Sequence, residues 1–277
     1  MSLIRIMTFN ILGTTYDGED ASPEERANPW STRAALNVRT IKRYAPDLIG
    51  FQEVQQENLA LYQEELADYN HIAGLEEECG NSIFWKKTRF DLIESGEFWL
   101  SRTPDQRSAD WGVPYPLTVT WVKLRCRETG LPLLHMNTQF EDGLDGVLSR
   151  PESSKLMAAR IEQMQADGTP ALVTGDFNCN PWHPPYRIFL HHGFVDTYRA
   201  AGHGDSADSS TFHGLRGTGY FGLEWGGEVF WRVDWILTRD GAQQLQTTSC
   251  TIVRDAEPPV YPSDHYPVVA EVLLVDA

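Results

Sequence analysis

The chain has 277 residues, 41% of them hydrophobic, a size and composition that suit one large α/β domain with an ample core. No apolar run approaches the roughly 20 residues a membrane helix needs, and no charged-then-apolar leader opens the sequence, so a soluble, cytoplasmic monomer without membrane insertion is expected. The net charge of -16 argues against a general nucleic-acid binder with a broad basic face and favours a small or locally gripped phosphate substrate over a long strand.

In chain order, Ile4 to Asn10 reads as a buried strand. An acidic loop from Tyr16 to Pro29 follows, then a helix on which Ala34, Val38 and Ile41 share one face, then Pro46-Asp47 and the apolar run Leu48-Ile49-Gly50-Phe51 closing on Gln52-Glu53. Ser82 to Trp85, Gly96 to Leu100, Thr118 to Leu124 and Leu133 to Phe140 read as further strands. The earlier plan then recurs: Met157, Ile161 and Met164 form a helical stripe, Gly168-Thr169-Pro170 a turn, and Ala171-Leu172-Val173-Thr174-Gly175 a strand ending in Asp176. Helix, turn, buried strand and terminal acid occur twice in one order, which would place Glu53 and Asp176 near one pseudo-twofold axis at one edge of the fold. Val233 to Leu237 and Val268 to Leu274 complete the strands. Many strands, few helices and no Pro/Ser linker predict a single domain over residues 1–277 with a two-sheet core and helices outside.

Long polar loops are expected at Thr103 to Pro116 and Ala200 to Trp231. The second holds Phe212, Tyr220, Phe221, Trp225 and Trp231, which suit a substrate wall. Cys79, Cys126, Cys179 and Cys250 are scattered without zinc-ligand spacing and read as reduced packing residues. Gly217-Thr218-Gly219-Tyr220-Phe221-Gly222 fits a dinucleotide fingerprint only in letters, since no strand precedes it and no helix follows. His191-His192 suits a helix C-terminus, and His71, His183, His203 and His213 read as non-catalytic.

Chemistry concentrates at strand ends. Asn10 and Glu53 offer oxygen at two tips, and magnesium, which keeps several waters, needs little more than one carboxylate and one amide for anchorage. Gly175-Asp176-Phe177-Asn178 puts a carboxylate and an amide at a third tip, and Ser263-Asp264-His265 sets a carboxylate beside an imidazole. Together these are the groups that metal-assisted phosphoester hydrolysis requires.

With Met7-Thr8-Phe9-Asn10, Phe51-Gln52-Glu53, Asn137-Thr138, Gly175-Asp176-Phe177-Asn178, Arg232-Val233-Asp234-Trp235-Ile236 and Ser263-Asp264-His265, the chain resembles the endonuclease/exonuclease/phosphatase superfamily of DNase I-like nucleases, phosphodiesterases and phosphatases. Trp30-x-x-Arg33, Phe98-Trp99-Leu100-Ser101 and Thr211-Phe212-His213-Gly214 are similar to its bacterial deadenylase-like branch. The resemblance implies a four-layer αββα sandwich, two mostly antiparallel sheets packed face to face with helices outside. It implies that Glu53, Asn10 and Asp264 hold Mg2+, with Mn2+ as a substitute, and that Asp176 activates water for in-line attack. Asn178 would donate to a phosphate oxygen, and His265, oriented by Asp234, would contact the phosphate as a cation or acid. Asn137, Gln139 and Arg33 fall in matching segments and are carried over as substrate-binding positions, with Trp231 from the aromatic loop.

The chain departs from the pattern at Gln139, where relatives have histidine, and at Leu117, where they tend to have arginine; Arg102 and Arg150 are the candidate replacements. The leading expectation is a phosphodiesterase, less a phosphomonoesterase. The alternative is a degenerate phosphate-ligand binder of the same fold, motivated by Gln139 and Leu117.

Overall fold

The computed structural model describes residues 1–14, 21–74, 80–144, 146–220, 222–224, 227–241 and 243–276. Its strands are β1 (Ser2–Asn10), β2 (Leu48–Val54), β3 (Tyr69–Ile72), β4 (Gly80–Lys86), β5 (Phe90–Trp99), β6 (Thr118–Cys126), β7 (Pro132–Gln139), β8 (Ala171–Asp176), β9 (Val195–Asp196), β10 (Gly222–Glu224), β11 (Gly227–Val229), β12 (Asp234–Arg239), β13 (Leu245–Ile252) and β14 (Val268–Leu274). The helices are α1 (Pro23–Ala27), α2 (Trp30–Tyr44), α3 (Gln56–Glu65), α4 (Gly146–Met164), α5 (Pro184–His191) and α6 (Thr197–Ala200).

Two six-stranded sheets run in the orders β13-β14-β1-β2-β4-β3 and β5-β6-β7-β8-β12-β9. Each is antiparallel except for one central parallel pair, β1 with β2 and β7 with β8. The connection between the partners of each pair carries a helix, α2 in the first sheet and α4 in the second, as a parallel pair requires. This is the duplicated plan expected from the sequence. Ile4, Ile6, Leu48, Trp85, Val122, Leu124, Leu172 and Ile236 fill the space between the sheets. Phe9, Ile41, Phe51 and Tyr62 form the core under α2 and α3, and Val173, Met157, Phe177 and Phe189 the core under α4 and α5. The four-layer αββα sandwich is therefore the architecture, with two apolar layers outside the sheets and one between them. Among the described residues, no helix is long and apolar enough to cross a membrane.

Several elements depart from the sequence reading. The loop expected over Tyr16 to Pro29 contains α1, capped by Ser22, whose hydroxyl accepts from Glu25 N while Glu25 Oε2 accepts from Ser22 N; residues 16–20 of that expectation lie outside the described residues. Likewise β3 and α3 carry too few apolar residues to announce themselves, and β13 pairs along β14 through a mostly polar sequence, Leu245-Gln246-Thr247-Thr248-Ser249. Cys126, Cys179 and Cys250 are buried free thiols, as expected; Cys79, Phe221 and Trp225 lie outside the described residues.

Toward the ends of the parallel pairs the intersheet layer turns polar. Gln52 Nε2 donates to Asn137 Oδ1 at 2.7 Å and to Thr8 Oγ1 at 3.1 Å. Asn137 Nδ2 donates to Phe51 O at 2.6 Å and Ser82 O at 3.1 Å. Thr174 Oγ1 donates to Asn137 Oδ1 at 2.9 Å, and His135 Nε2 lies 2.8 Å from that hydroxyl. These bonds tie one sheet to the other, and only glycine at position 50 lets them close: a Cβ there would overlap Thr174 Oγ1 and Asn137 Oδ1. Gly50→Ala is accordingly expected to cost about 1–3 kcal/mol or more, read as a lowered urea midpoint; an unchanged midpoint would show that the sheets separate freely.

Burial holds His135 neutral, with its pKa lowered to about 3. Below its ordinary value the unfolded chain binds a proton that the folded chain refuses, so stability falls with pH between about 6.5 and about 3, at about 1.4 kcal/mol per pH unit. Between about pH 7.5 and about pH 5, wild type is expected to lose about 2 kcal/mol more than His135→Gln. Equal losses in denaturant melts would refute this.

Candidate active site

All four strands of the two parallel pairs deliver their C-terminal ends to one edge of the sandwich. Asn10 closes β1, Glu53 lies near the end of β2, and Gln139 and Asp176 close β7 and β8 in direct register. Asn10 Nδ2 donates to Glu53 Oε1 at 2.8 Å and to Asp176 Oδ2 at 3.1 Å. Gln139 Nε2 reaches the same two oxygens at 2.6 and 3.5 Å. Two acids from different sheets thus meet across two amides. Glu53 is aimed there by a bulge between Phe51 and Val54 and by a left-handed backbone, φ 62°, a conformation costly for glutamate.

The third component comes from β12 and the turn before β14. Asp234 pairs with Asp176 in register, and its Oδ2 lies 2.9 Å from His265 Nδ1. The other ring nitrogen, Nε2, stands 3.8 Å from Asp176 Oδ2. Ser263 anchors the turn by donating to Asn10 O at 2.7 Å and accepting from His265 N at 3.2 Å. Thr211 Oγ1 accepts from Val233 N at 3.0 Å and Asp234 N at 3.1 Å, and the backbone N–H groups of His213 and Gly214 reach Asp264 O at 2.8 and 3.2 Å.

Burial raises the carboxyls of Glu53, Asp176 and Asp264; nearby Asp264 raises Glu53 further, and Asp234 adds to the rise at Asp176. Burial acts against a charged His265, yet Asp234, Asp176 and Asp264 together hold its pKa well above the ordinary value. The ring is a cation at neutral pH. Asp176, Asp234 and His265 bring ligand-type atoms within 4.8 Å of one another, but Nδ1 is committed to Asp234 and the ring is protonated, so this trio suits a proton rather than a metal. Glu53 and Asp264 are the better fit to a divalent ion. They are hard-oxygen donors, Glu53 buried and Asp264 half-buried; Asp264 disfavours the charge on Glu53, whose Oε2 has among the described residues only a 3.3 Å bond from Gly13 N.

A cleft of about 380 Å³ opens over this centre, lined among others by Glu53, Gln139, Asp176, Asn178, Trp231, Asp264 and His265. Other expected site residues fall elsewhere. Asn10 turns its amide nitrogen to the acids and its Oδ1 to Leu12 N at 3.1 Å, standing as a donor that positions carboxylates rather than as a metal ligand. Asn137 is fully buried in the intersheet layer with both its amide atoms engaged. Arg33 is fully buried, donating to the carbonyls of Ile11, Leu12 and Asn28, and so supports the loop after β1. Arg102 is exposed on Asp110 at 2.8 Å, and Arg150 Nη1 binds the carbonyls of Glu141 and Asp142 at 2.6 and 2.8 Å. Neither arginine lines the cleft, so neither replaces the cation absent at Leu117, which does line it. Asn178 gives one amide proton to Phe140 O at 2.8 Å, and among the described residues the other has no partner.

Sequence reasoning assigned no role to Thr211, Ser263, Tyr115 or Glu141. The pair Glu141-Asp142, following directly on the strand that ends in Gln139, was the available signal for the last. Thr211→Val is expected to lower stability by about 1–3 kcal/mol by stranding two buried N–H groups, measured by urea denaturation; a change within error would mean that another acceptor replaces the hydroxyl.

Known proteins share this arrangement of sheets. Over 99% of this chain and 100% of the other, the fold superposes with a TM-score of 0.83 and 24% identity on an endonuclease/exonuclease/phosphatase from Bacteroides vulgatus. A mannosyl-6-phosphatase from Bacteroides thetaiotaomicron superposes with a TM-score of 0.82 and 24% identity, over 98% of this chain and 100% of that one. In sequence the chain is 26% identical over 202 residues to the probable RNA exonuclease NGL3 of Saccharomyces cerevisiae, a match covering 66% of this chain but only 39% of the yeast protein. The profile of the Endonuclease/Exonuclease/phosphatase family matches residues 7–265, a span running from β1 to the His265 turn, and the chain belongs to that family.

Proposed function

We propose that the chain is a divalent-metal-dependent phosphoesterase, acting on phosphodiesters in preference to monoesters, with Asp176 as the group that activates water. The observation that carries this reading is the convergence of Asp176 with Glu53 from the other sheet and with the protonated His265 held by Asp234. The yeast relative is described as an RNA exonuclease and the Bacteroides neighbour as a sugar phosphatase; both names denote phosphoester cleavage, and they support the reaction class while dividing on substrate.

Asp176 is oriented by Asn178 N at 2.9 Å on Oδ1 and by the two amides on Oδ2. Its raised carboxyl makes it a stronger base than a solvated aspartate. His265 presents a charged Nε2–H, kept in place by Asp234 on its other face, where a non-bridging phosphate oxygen gathers charge. The free amide proton of Asn178 acts on the same developing charge. Glu53 and Asp264 would hold the ion, Mg2+ or Mn2+, which when bound polarises a phosphate oxygen and steadies the leaving oxyanion. Gln139 supports turnover rather than its loss: lacking charge, it still fixes both acids. A diester is favoured because it brings a single negative charge into a cleft already rich in carboxylates.

The test is hydrolysis of aryl phosphodiesters and monoesters by the purified chain. Activity is expected to vanish with a chelator and return with Mg2+ or Mn2+. Asp176→Asn is expected to lower turnover by about a thousandfold while the circular dichroism spectrum is retained. Undiminished turnover would remove Asp176 from the role of base, and inactivity on every ester would sink the reading.

A further inference from the structure

The remaining cleft wall carries information on what is esterified to the phosphate. Among the described residues lining the cleft there is no lysine or arginine, and His265 is the single histidine. The wall has instead the carboxylates Glu25, Glu141 and Asp142 and the rings of Tyr115, Tyr220 and Trp231. Glu141 is buried and fixed by the Tyr115 hydroxyl, which donates to its Oε2. Glu25 is fixed by its bond to Ser22 N. The indole N–H of Trp231 is buried with no hydrogen-bond partner among the described residues. The wall therefore offers fixed acceptors and aromatic faces.

Three classes of organic group respond differently to that set. A polyanionic strand would bring further phosphates toward these carboxylates, where salt at physiological strength screens only beyond about 8 Å, with no basic lining among the described residues to track its backbone. A quaternary ammonium would pack on the rings but has no N–H or O–H to give to the fixed carboxylate oxygens. Hydroxyl groups donate to those oxygens, while the C–H face of a ring or chain packs on the aromatics. The cleft volume of about 380 Å³ lies toward the small end for ligand sites. Resting on the phosphoesterase reading above, we infer that the esterified group is neutral and polyhydroxylated, a sugar or polyol carrying a single phosphate.

The experiment compares the full chain, with Mg2+, on hexose, choline and nucleoside esters of phosphate, each as the monoester and the methyl diester, with nitrophenyl esters as reference. The nitrophenyl esters test the reaction class by themselves. Hexose esters are expected to exceed the other two in kcat/KM by about tenfold or more, and Trp231→Ala and Glu141→Gln to raise KM for them by about three- to tenfold with less change in kcat. Preference for choline or nucleoside esters overturns the inference, as does a hexose preference that neither substitution weakens. If no ester is turned over, calorimetric affinities for a hexose phosphate, phosphocholine and a nucleoside monophosphate decide the same ranking: tightest binding of the hexose phosphate supports it, and any other order refutes it.

Discussion

Everything at the candidate site depends on two amides holding two buried carboxylates together. Asn10 and Gln139 stand in equivalent positions, each at the end of the first strand of a parallel pair, and each donates to both Glu53 and Asp176. Without those donors, two raised carboxyls facing each other in a buried layer would repel or protonate. The sheets must also approach closely for the acids to meet, and the polar layer of Gln52, Asn137 and Thr174 packed against Gly50 sets that approach. The site is thus a property of the sandwich interface, not of either sheet.

Three of the seven non-glycine left-handed backbones among the described residues lie in the same place. Leu12, Glu53 and Asn178 adopt left-handed conformations, φ 52°, 62° and 47°, and all three line the cleft. Asparagine tolerates this region; leucine and glutamate do so only when their surroundings impose it. Arg33 supplies part of that imposition, binding the carbonyls of Ile11 and Leu12 from beneath. Its charge is used to hold a loop, which is why a sequence reading that placed it on substrate misjudged it.

The framework was legible because it repeats. Helix, turn, strand and acid recur at Ala34 to Glu53 and Met157 to Asp176, and the periodicity that buries one face of each element also dictates where the acids end up. The seven chemistry-bearing groups stood out by lying at strand ends; five of them line the cleft, and of the other two Asn10 bonds to Glu53 and Asp176 and Asp234 to His265. What the sequence could not disclose was which way an amide or guanidinium turns. Asn10, Asn137, Arg33 and Arg150 are committed to partners that are distant in sequence or are backbone carbonyls, neither of which leaves a local pattern. Short elements such as α1, α3 and β3 were hidden for a related reason: a capping box or a few apolar residues stabilise them only once the neighbouring strand is in place.

Those committed arginines also account for the electrostatics of the cleft. Arg33 holds backbone carbonyls of the loop after β1, Arg102 is paired with Asp110, Arg150 holds the turn into α4, and Arg232 lies buried between Asp196 and Asp205. Positive charge close to the site is thereby used to fix loops and strands, and among the described residues the cavity they surround is lined by carboxylates and one histidine, without lysine or arginine. Such a cavity attracts cations and resists anions. On the proposed reading, an ester enters it where its one phosphate is matched by charge brought from solution and by His265, and the rest of the molecule meets acceptors and rings. Selectivity against highly charged substrates is then the expected consequence of committing the arginines to loops and strands.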